Sequence, residues 1–356
     1  MATNTSTFKT FLNNDIVSTR SMLHEAIPLT GSIVSGTYGG NNIKNFSHGM
    51  FQSVYDYPYL SSSANHIFDV TVGYSSNSIL SSSTAVQNSK KINIYNQMAQ
   101  LLAGYDADGK IREFDADGDL SGGRKIREAF FINFSRLLTK DEIKKQSFSM
   151  TVMTGGTCFN PSGNVTLADL QANTSYKINS PAGEYAVLYT GSATGDTAKG
   201  VGLLYYQAGI AVVTASVFAG RNQQPPNLND YFGPPNAPLH RKYSVSGSLT
   251  GSQISSSADG FRNRLKNISF NNTTELNSTV YFCRANNNEF NYSSNPTYLS
   301  SSKIQVKTNA VDNPVSYITT VGLYAADNEL LAVAKLSEPL KKDPTNEFTL
   351  RVRLDY

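Results

Sequence analysis

The chain has 356 residues, 39% of them hydrophobic and only 16% charged against a usual ~25%, so Asn, Ser, Thr, Gly and Tyr carry most of the polarity. That composition excludes a coiled coil, collagen and a highly charged disordered chain, and no run approaches the ~20 apolar residues of a membrane helix. The net charge of +3 comes from scattered residues whose densest runs are pairs (Lys90-Lys91, Lys144-Lys145, Lys341-Lys342), which gives no basis for a nucleic-acid partner.

The length fits two or three domains or one large β-rich body. Residues 1–60 read as an extended N-terminal arm, with turn chemistry over 36–42 and a short helix over Ser18–Ala26. The start, MATNTSTFKTFLNND, has neither the basic opening nor the apolar run of a signal peptide, so the expectation is synthesis and assembly in a cytoplasm. Asn-x-Ser/Thr triplets at Asn45, Asn267, Asn272, Asn277 and Asn291 are chance products of an Asn- and Ser-rich chain in that setting.

Residues 61–218 read as a mainly-β domain. A strand at 65–75 alternates Ile67, Asp69, Thr71 and Gly73 with Phe68, Val70, Val72 and Tyr74. A helix near 89–103 follows, with Ser89 as N-cap, a stripe of Ile92, Tyr95, Met98/Ala99 and Leu102, and Gly104 at its end. Asp108-Gly109 and Asp117-Gly118 mark tight turns, because Gly supplies the positive φ. Ala129–Phe134 and Ser147–Val152 read as strands, the second with Phe148, Met150 and Val152 on one face. Thr139-Lys-Asp-Glu142 between them reads as a capping box for one helical turn. Tyr185–Tyr189 reads as a strand, and 202–218 as a hairpin bent at Gln207-Ala-Gly209.

Residues 219–260, with two Pro pairs and Ser/Gly runs, read as a linker or arm. Residues 261–356 read as a C-terminal β domain with strands at Leu276–Ala285, Tyr317–Tyr324, Glu329–Leu336 and Phe348–Tyr356. In the last strand Leu350, Val352 and Leu354 face one way. The expected fold class is therefore mainly β: antiparallel, β-sandwich-like domains with one or two short helices and long extended arms.

Chemical constellations are few. Asp115-Ala-Asp117-Gly-Asp119 sets three carboxylates at alternate positions, as oxygen-liganded cations require, but the EF-hand pattern fails: the Gly comes early and Ile126 stands where the closing Glu belongs. The sequence reading is a solvated hairpin tip with no metal ligand assigned, and calcium at this turn stays open as the lesser alternative. The histidines His24, His48, His66 and His240 adjoin no G-x-S-x-G turn. Gly36-Thr-Tyr-Gly39-Gly40 lacks the Lys-Ser/Thr of a phosphate loop. Cys158 and Cys283 stand in no metal spacing and read as two buried free thiols rather than a disulfide. The absence of Trp weakens a sugar-handling role. An acid pair drawn from Asp106, Asp108, Asp115 and Asp117 in a cleft would be needed for one. No catalytic residue, cofactor-binding residue or cofactor is assigned, and the chain reads as non-enzymatic.

The C-terminal segment carries a resemblance. Pro314-Val-Ser-Tyr-Ile-Thr-Thr-Val-Gly-Leu-Tyr324, Asp327-Asn-Glu-Leu-Leu-Ala-Val-Ala-Lys-Leu336 and Phe348-Thr-Leu-Arg-Val-Arg-Leu354 form a strand, polar turn, strand and closing strand. This pattern resembles virion proteins of tailed bacteriophages, especially tail-fibre and baseplate components. The segments 281–298 and 130–136 look similar to structural proteins of large marine tailed phages. The resemblance is clearest over the last 80 residues or so, and its motif is a β-meander rather than a chemical signature. It implies a non-enzymatic virion subunit of the tail or baseplate, assembled in the host cytoplasm as a homo-oligomer with other phage virion proteins. It implies no nucleic-acid or membrane partner. A neck or capsid-associated protein, or a receptor- or carbohydrate-binding tail protein, is the alternative. Tyr317–Tyr356 is the expected docking module, with Arg351 and Arg353 at its rim; plain core sheet is the competing reading of that segment.

Overall fold

Two long strands, β1 (Ile16–Thr30) and β14 (Leu265–Ala285), each cross the boundary between the two compact units of the chain. One unit is Leu23–Thr274; the other joins Met1–Met22 to Glu275–Tyr356. The boundaries therefore fall at 22/23 and 274/275, where the sequence reading set them near 60, 219 and 261. The computed structural model describes residues 8–30, 40–82, 87–120, 122–156, 161–190, 200–218, 245–251, 253–292, 299–300, 303–304, 311 and 314–356. Gly36–Gly39, Cys158, His240 and most of the expected linker (219–244) lie outside them. The fold is mainly β with short helices and a large antiparallel sheet, as the composition suggested.

In the larger unit the strands are β2 (Ile43–Asn45), β3 (Gln52–Tyr55), β4 (His66–Tyr74), β5 (Phe114–Asp115), β6 (Lys125–Ile126), β7 (Glu128–Phe134), β8 (Glu142–Ile143), β9 (Ser149–Gly156), β10 (Pro161–Ala168), β11 (Tyr185–Thr190), β12 (Gly200–Tyr205) and β13 (Ile210–Thr214). The helices are α1 (Asn88–Leu102), α2 (Arg136–Thr139), α3 (Ala172–Ser175), α4 (Val245–Leu249) and α5 (Ile254–Arg264). The sheet runs β14-β9-β10-β11-β12-β13-β7-β4-β3-β2, every pair antiparallel. It folds back on itself, because Phe134 of β7 packs on Phe148 and on Phe270 of β14, with ring centroids 5.9 and 5.3 Å apart. β7 and β4 lie in the middle, buried almost throughout. Their runs of Phe, Ile and Val suit a strand covered on both faces, so the two faces read by alternation in 65–75 are not one wet and one dry.

Helix α1 lies on β4 at Gly73. A Cβ there would fall 2.8 Å from the Lys91 carbonyl oxygen and 2.8 Å from the Tyr95 nitrogen. The helix begins one residue earlier than the sequence suggested, with Gln87 in the left-handed region as N-cap, so Ser89 lies inside the helix. The buried stripe is correspondingly Lys91, Ile94, Tyr95, Ala99 and Leu102, with Ile92 half-buried. Gly104, at φ +78°, closes it by donating to the Ala99 carbonyl.

Three further expectations are corrected. Ser18–Ala26 is strand, part of β1. The helical turn near 139 is Arg136–Thr139, with Glu142 already in β8, so the expected capping box does not form. Residues 245–249 and 254–264, read as linker and domain start, are helical. Phe261 of α5 stacks on Phe130 at 5.0 Å and meets Phe218 at 5.8 Å, and this aromatic contact outweighs the Ser-rich local preference.

In the smaller unit β14 pairs with β19 (Phe348–Asp355) from Ser278↔Asp355 to Ala285↔Phe348. Ser18 and Thr279 hydroxyls meet at 3.1 Å, and Arg20 pairs with Glu275. Asp15, buried, is held by Arg284 at 2.7 Å. Two residue pairs, β15 (Leu299–Ser300) and β16 (Lys303–Ile304), form a short ladder. β17 (Ser316–Tyr324) and β18 (Leu330–Lys342) form a hairpin with no further strand among the described residues.

Candidate functional site

The acidic turn connects β5 to β6, and the core anchors both strands. Phe114 packs on Tyr95 and Phe131 at 5.4 and 5.7 Å, the Tyr95 hydroxyl donates to the Ile126 carbonyl at 2.7 Å, and Phe114 N–H donates back to that hydroxyl at 3.2 Å. The turn rests on β11 and β12. Tyr185 donates to the Gly118 carbonyl at 3.0 Å, Asn179 Nδ2 does so at 3.3 Å, and Arg124 donates to the Gly200 carbonyl. A Cβ on Gly200 would overlap the Ala116 carbonyl oxygen, so only glycine lets the turn sit this close.

These anchors draw Asp115, Asp117 and Asp119 together, one carboxylate oxygen of each lying within 4.8 Å of the others. Asp119 is exposed and Asp117 half-buried, but Asp115 is fully buried, which corrects the reading of the turn as a solvated tip. Asp115 Oδ2 accepts from Lys125 at 2.8 Å, while Oδ1 has no hydrogen-bond partner. Burial pushes the Asp115 carboxyl above the usual carboxylate range; Lys125 pulls it down, and Asp119 and Asp117 push it up again. Gly123, at φ +64°, leaves the mouth of the cluster open. A Cβ there would stand 2.9 Å from Asp117 Oδ2 and 3.4 Å from Asp115 Oδ1. Sequence reasoning found the carboxylates and missed Lys125, Gly123, Tyr185 and Gly200, although Gly122-Gly123 after the Asp-Gly turn was a visible signal.

Asp106 and Asp108 do not join this cluster among the described residues. They form their own small turn, in which Asp106 Oδ1 accepts from the Asp108 and Lys110 N–H groups at 3.0 and 2.8 Å. The described histidines are dispersed. His24 Nδ1 lies 3.2 Å from the Thr273 hydroxyl, and His48 stacks on Phe46. His66 Nε2 lies 2.8 Å from Asp69 Oδ1, the oxygen that also accepts from Ser53. Ser, Asp and His thus converge in the wrong order for a nucleophile, since the serine proton goes to the carboxylate and not to the imidazole. Asp169 is buried and structural, accepting from Gln146 N–H, Phe148 N–H and the Tyr206 hydroxyl at 2.8, 3.0 and 2.8 Å. Cys283 is a free, half-buried thiol, raised by burial.

The expected docking module divides in two. β19 packs Val352 inward and exposes Arg351 and Arg353, the latter donating to Ser278 at 2.8 Å and to Asp355 at 2.8 Å. The β17–β18 hairpin is exposed along most of its length. Its register pairs Gly322 with Val333 and Tyr324 with Leu330, which sets Tyr324, Leu330 and Val333 on one face, each about half exposed (57%, 49% and 52%). Its base is fixed by Lys342, whose buried ammonium donates to Asn291 Oδ1, the Asp343 carbonyl and the Asn287 carbonyl at 2.7, 2.9 and 3.2 Å. Among the described residues no helix is long and apolar enough to cross a membrane. A scan against protein-family models and searches of curated proteins and of solved structures found no match to this chain.

Proposed function

We propose that this chain is a non-enzymatic structural component of a tailed-phage virion, of the tail or baseplate, acting through contacts between subunits. The observation that carries the reading is the β17–β18 hairpin. A two-stranded hairpin is at best marginally stable alone in water. This one presents Tyr324, Leu330 and Val333 to solvent on one face and leaves its outer backbone edges without a partner strand among the described residues. Apolar surface rimmed by polar residues, next to a free strand edge, is the chemistry of a protein interface. The occupant is a second copy of this chain. A self-complementary apolar face suits a symmetric contact, and a net charge of only +3 over 356 residues sets little repulsion between copies. The resemblance of the same C-terminal strands to tail-fibre and baseplate proteins supplies the setting. Mass spectrometry of purified particles of the encoding phage tests it. The reading expects this chain in stoichiometric amounts with the tail proteins, and its absence from intact particles would overturn it.

A further inference from the structure

We propose that Asp115, Asp117 and Asp119 form a calcium site in which the buried Asp115 Oδ1 is the inner ligand. This inference stands on the larger unit alone and does not rest on the virion reading. Two observations beyond the clustering of acids point to a ligand. The first is Asp115 Oδ1 itself, a carboxylate oxygen on a fully buried side chain with no hydrogen-bond partner, while its sister oxygen is held by Lys125 at 2.8 Å. Buried polar atoms are nearly always satisfied, and an orphan one marks an unseen partner. Second, Gly123 keeps open a cradle that a single Cβ would fill, bordered by Asp117 Oδ2 and Asp115 Oδ1 together.

Donor type and spacing name the partner. Three carboxylates supply only hard oxygen donors, and Lys125 occupies just the Oδ2 atom of Asp115, so the donor set suits an oxygen-seeking divalent cation. The three ligand oxygens lie within 4.8 Å of one another, close to the mutual spacing of about 3.4–4.2 Å that three oxygens take around a calcium ion at about 2.4 Å, so a small rotation of the accessible Asp117 and Asp119 side chains lets one ion touch all three. Three side-chain ligands leave the other positions to water, and the affinity belongs with weak modules of about 10⁻⁴–10⁻³ M rather than with EF-hand sensors. The turn is already tied to β11 and β12 through Tyr185 and Gly200, and to the loop before β11 through Asn179. A bound ion therefore clamps the β5–β6 turn to the sheet.

The test uses the full chain stripped with EGTA. Terbium is titrated in with excitation of tyrosine, the only strong sensitiser in a chain without Trp, and calcium is then used to displace it. The melting temperature is followed in parallel with calcium and with magnesium. The proposal expects saturable terbium emission, displacement by calcium, and a melting temperature that rises more with calcium than with magnesium. In Asp117→Asn/Asp119→Asn, which alters only the accessible ligands and spares the core, binding weakens about tenfold or more. Gly123→Ala weakens it independently by occupying the cradle. Absence of saturable binding up to several millimolar calcium, or binding unchanged in the double variant, overturns the site. So does a melting temperature raised by the double variant in a protein indifferent to calcium. That result would mean that Asp115 and Asp119 relieve their charge by sharing a proton.

Discussion

Gly73 shows how one residue sets the packing of the larger unit. The backbone of α1 touches β4 there, and a methyl group would meet main-chain atoms of Lys91 and Tyr95, which cannot swing away as a side chain would. Gly73→Ala is expected to destabilise the protein by about 1–3 kcal/mol, read as a lower urea midpoint with an unchanged slope. Lys91, one turn into the same helix, is fully buried and donates to the Gly251 carbonyl at 2.6 Å. Burial pushes its ammonium down to about 8. Between pH 8 and the ordinary lysine value the unfolded chain binds the proton that the folded chain has released, so this residue's contribution to stability rises with pH. The stability of wild type minus that of Lys91→Met is expected to increase from pH 7.5 to 10, by at most about 3 kcal/mol. A difference that is flat or falls across that window would contradict the burial of the charge. The comparison also cancels the buried tyrosines Tyr95, Tyr185, Tyr205 and Tyr206, whose hydroxyls burial holds above their usual range.

At the scale of elements, legibility followed the range of the interactions. β7 and β9 were visible because local pattern and burial agree: Phe-Phe-Ile-Asn-Phe has no alternative to a buried strand, and Phe148, Met150 and Val152 do share a face. The bend at Gln207-Ala-Gly209 was legible from Gly209, at φ +65°. β1 was misread because Ser18–Ala26 is exposed and its conformation is set by β14, some 250 residues away, through contacts such as Ser18 with Thr279 and Arg20 with Glu275. Ile16, Val17 and Thr19 were the local hint of strand. The α5 segment was missed for the opposite reason: its Ser-rich sequence is polar, and the pocket between Phe130 and Phe218 that receives Phe261 belongs to tertiary structure. For the acidic turn, spacing revealed three carboxylates, but the burial of Asp115 depends on Tyr95, Phe114 and Gly200 and could not be read locally. The hairpin yields its own prediction. Leu330→Lys/Val333→Lys changes side chains that are about half exposed, so, compared at a dilution where both proteins are monomers, its unfolding free energy is expected to stay within about 0.5 kcal/mol of wild type, while association at micromolar concentration is lost.

For the molecule as a whole, the low charge, the long antiparallel sheet and the exposed hairpin fit a part whose work is to hold position. The larger unit supplies a folded-over sheet with an aromatic core. The smaller unit joins the start of β1 to the C-terminal strands and carries the apolar hairpin face. The structural role proposed above makes association with a second copy the property to measure. Sedimentation equilibrium of the full chain at micromolar concentration is the direct measurement. The account predicts a mass that is a whole-number multiple of 38.7 kDa, collapsing to 38.7 kDa in Leu330→Lys/Val333→Lys. A wild-type chain that sediments at 38.7 kDa across the accessible range, or an oligomer that the double substitution leaves intact, would contradict it.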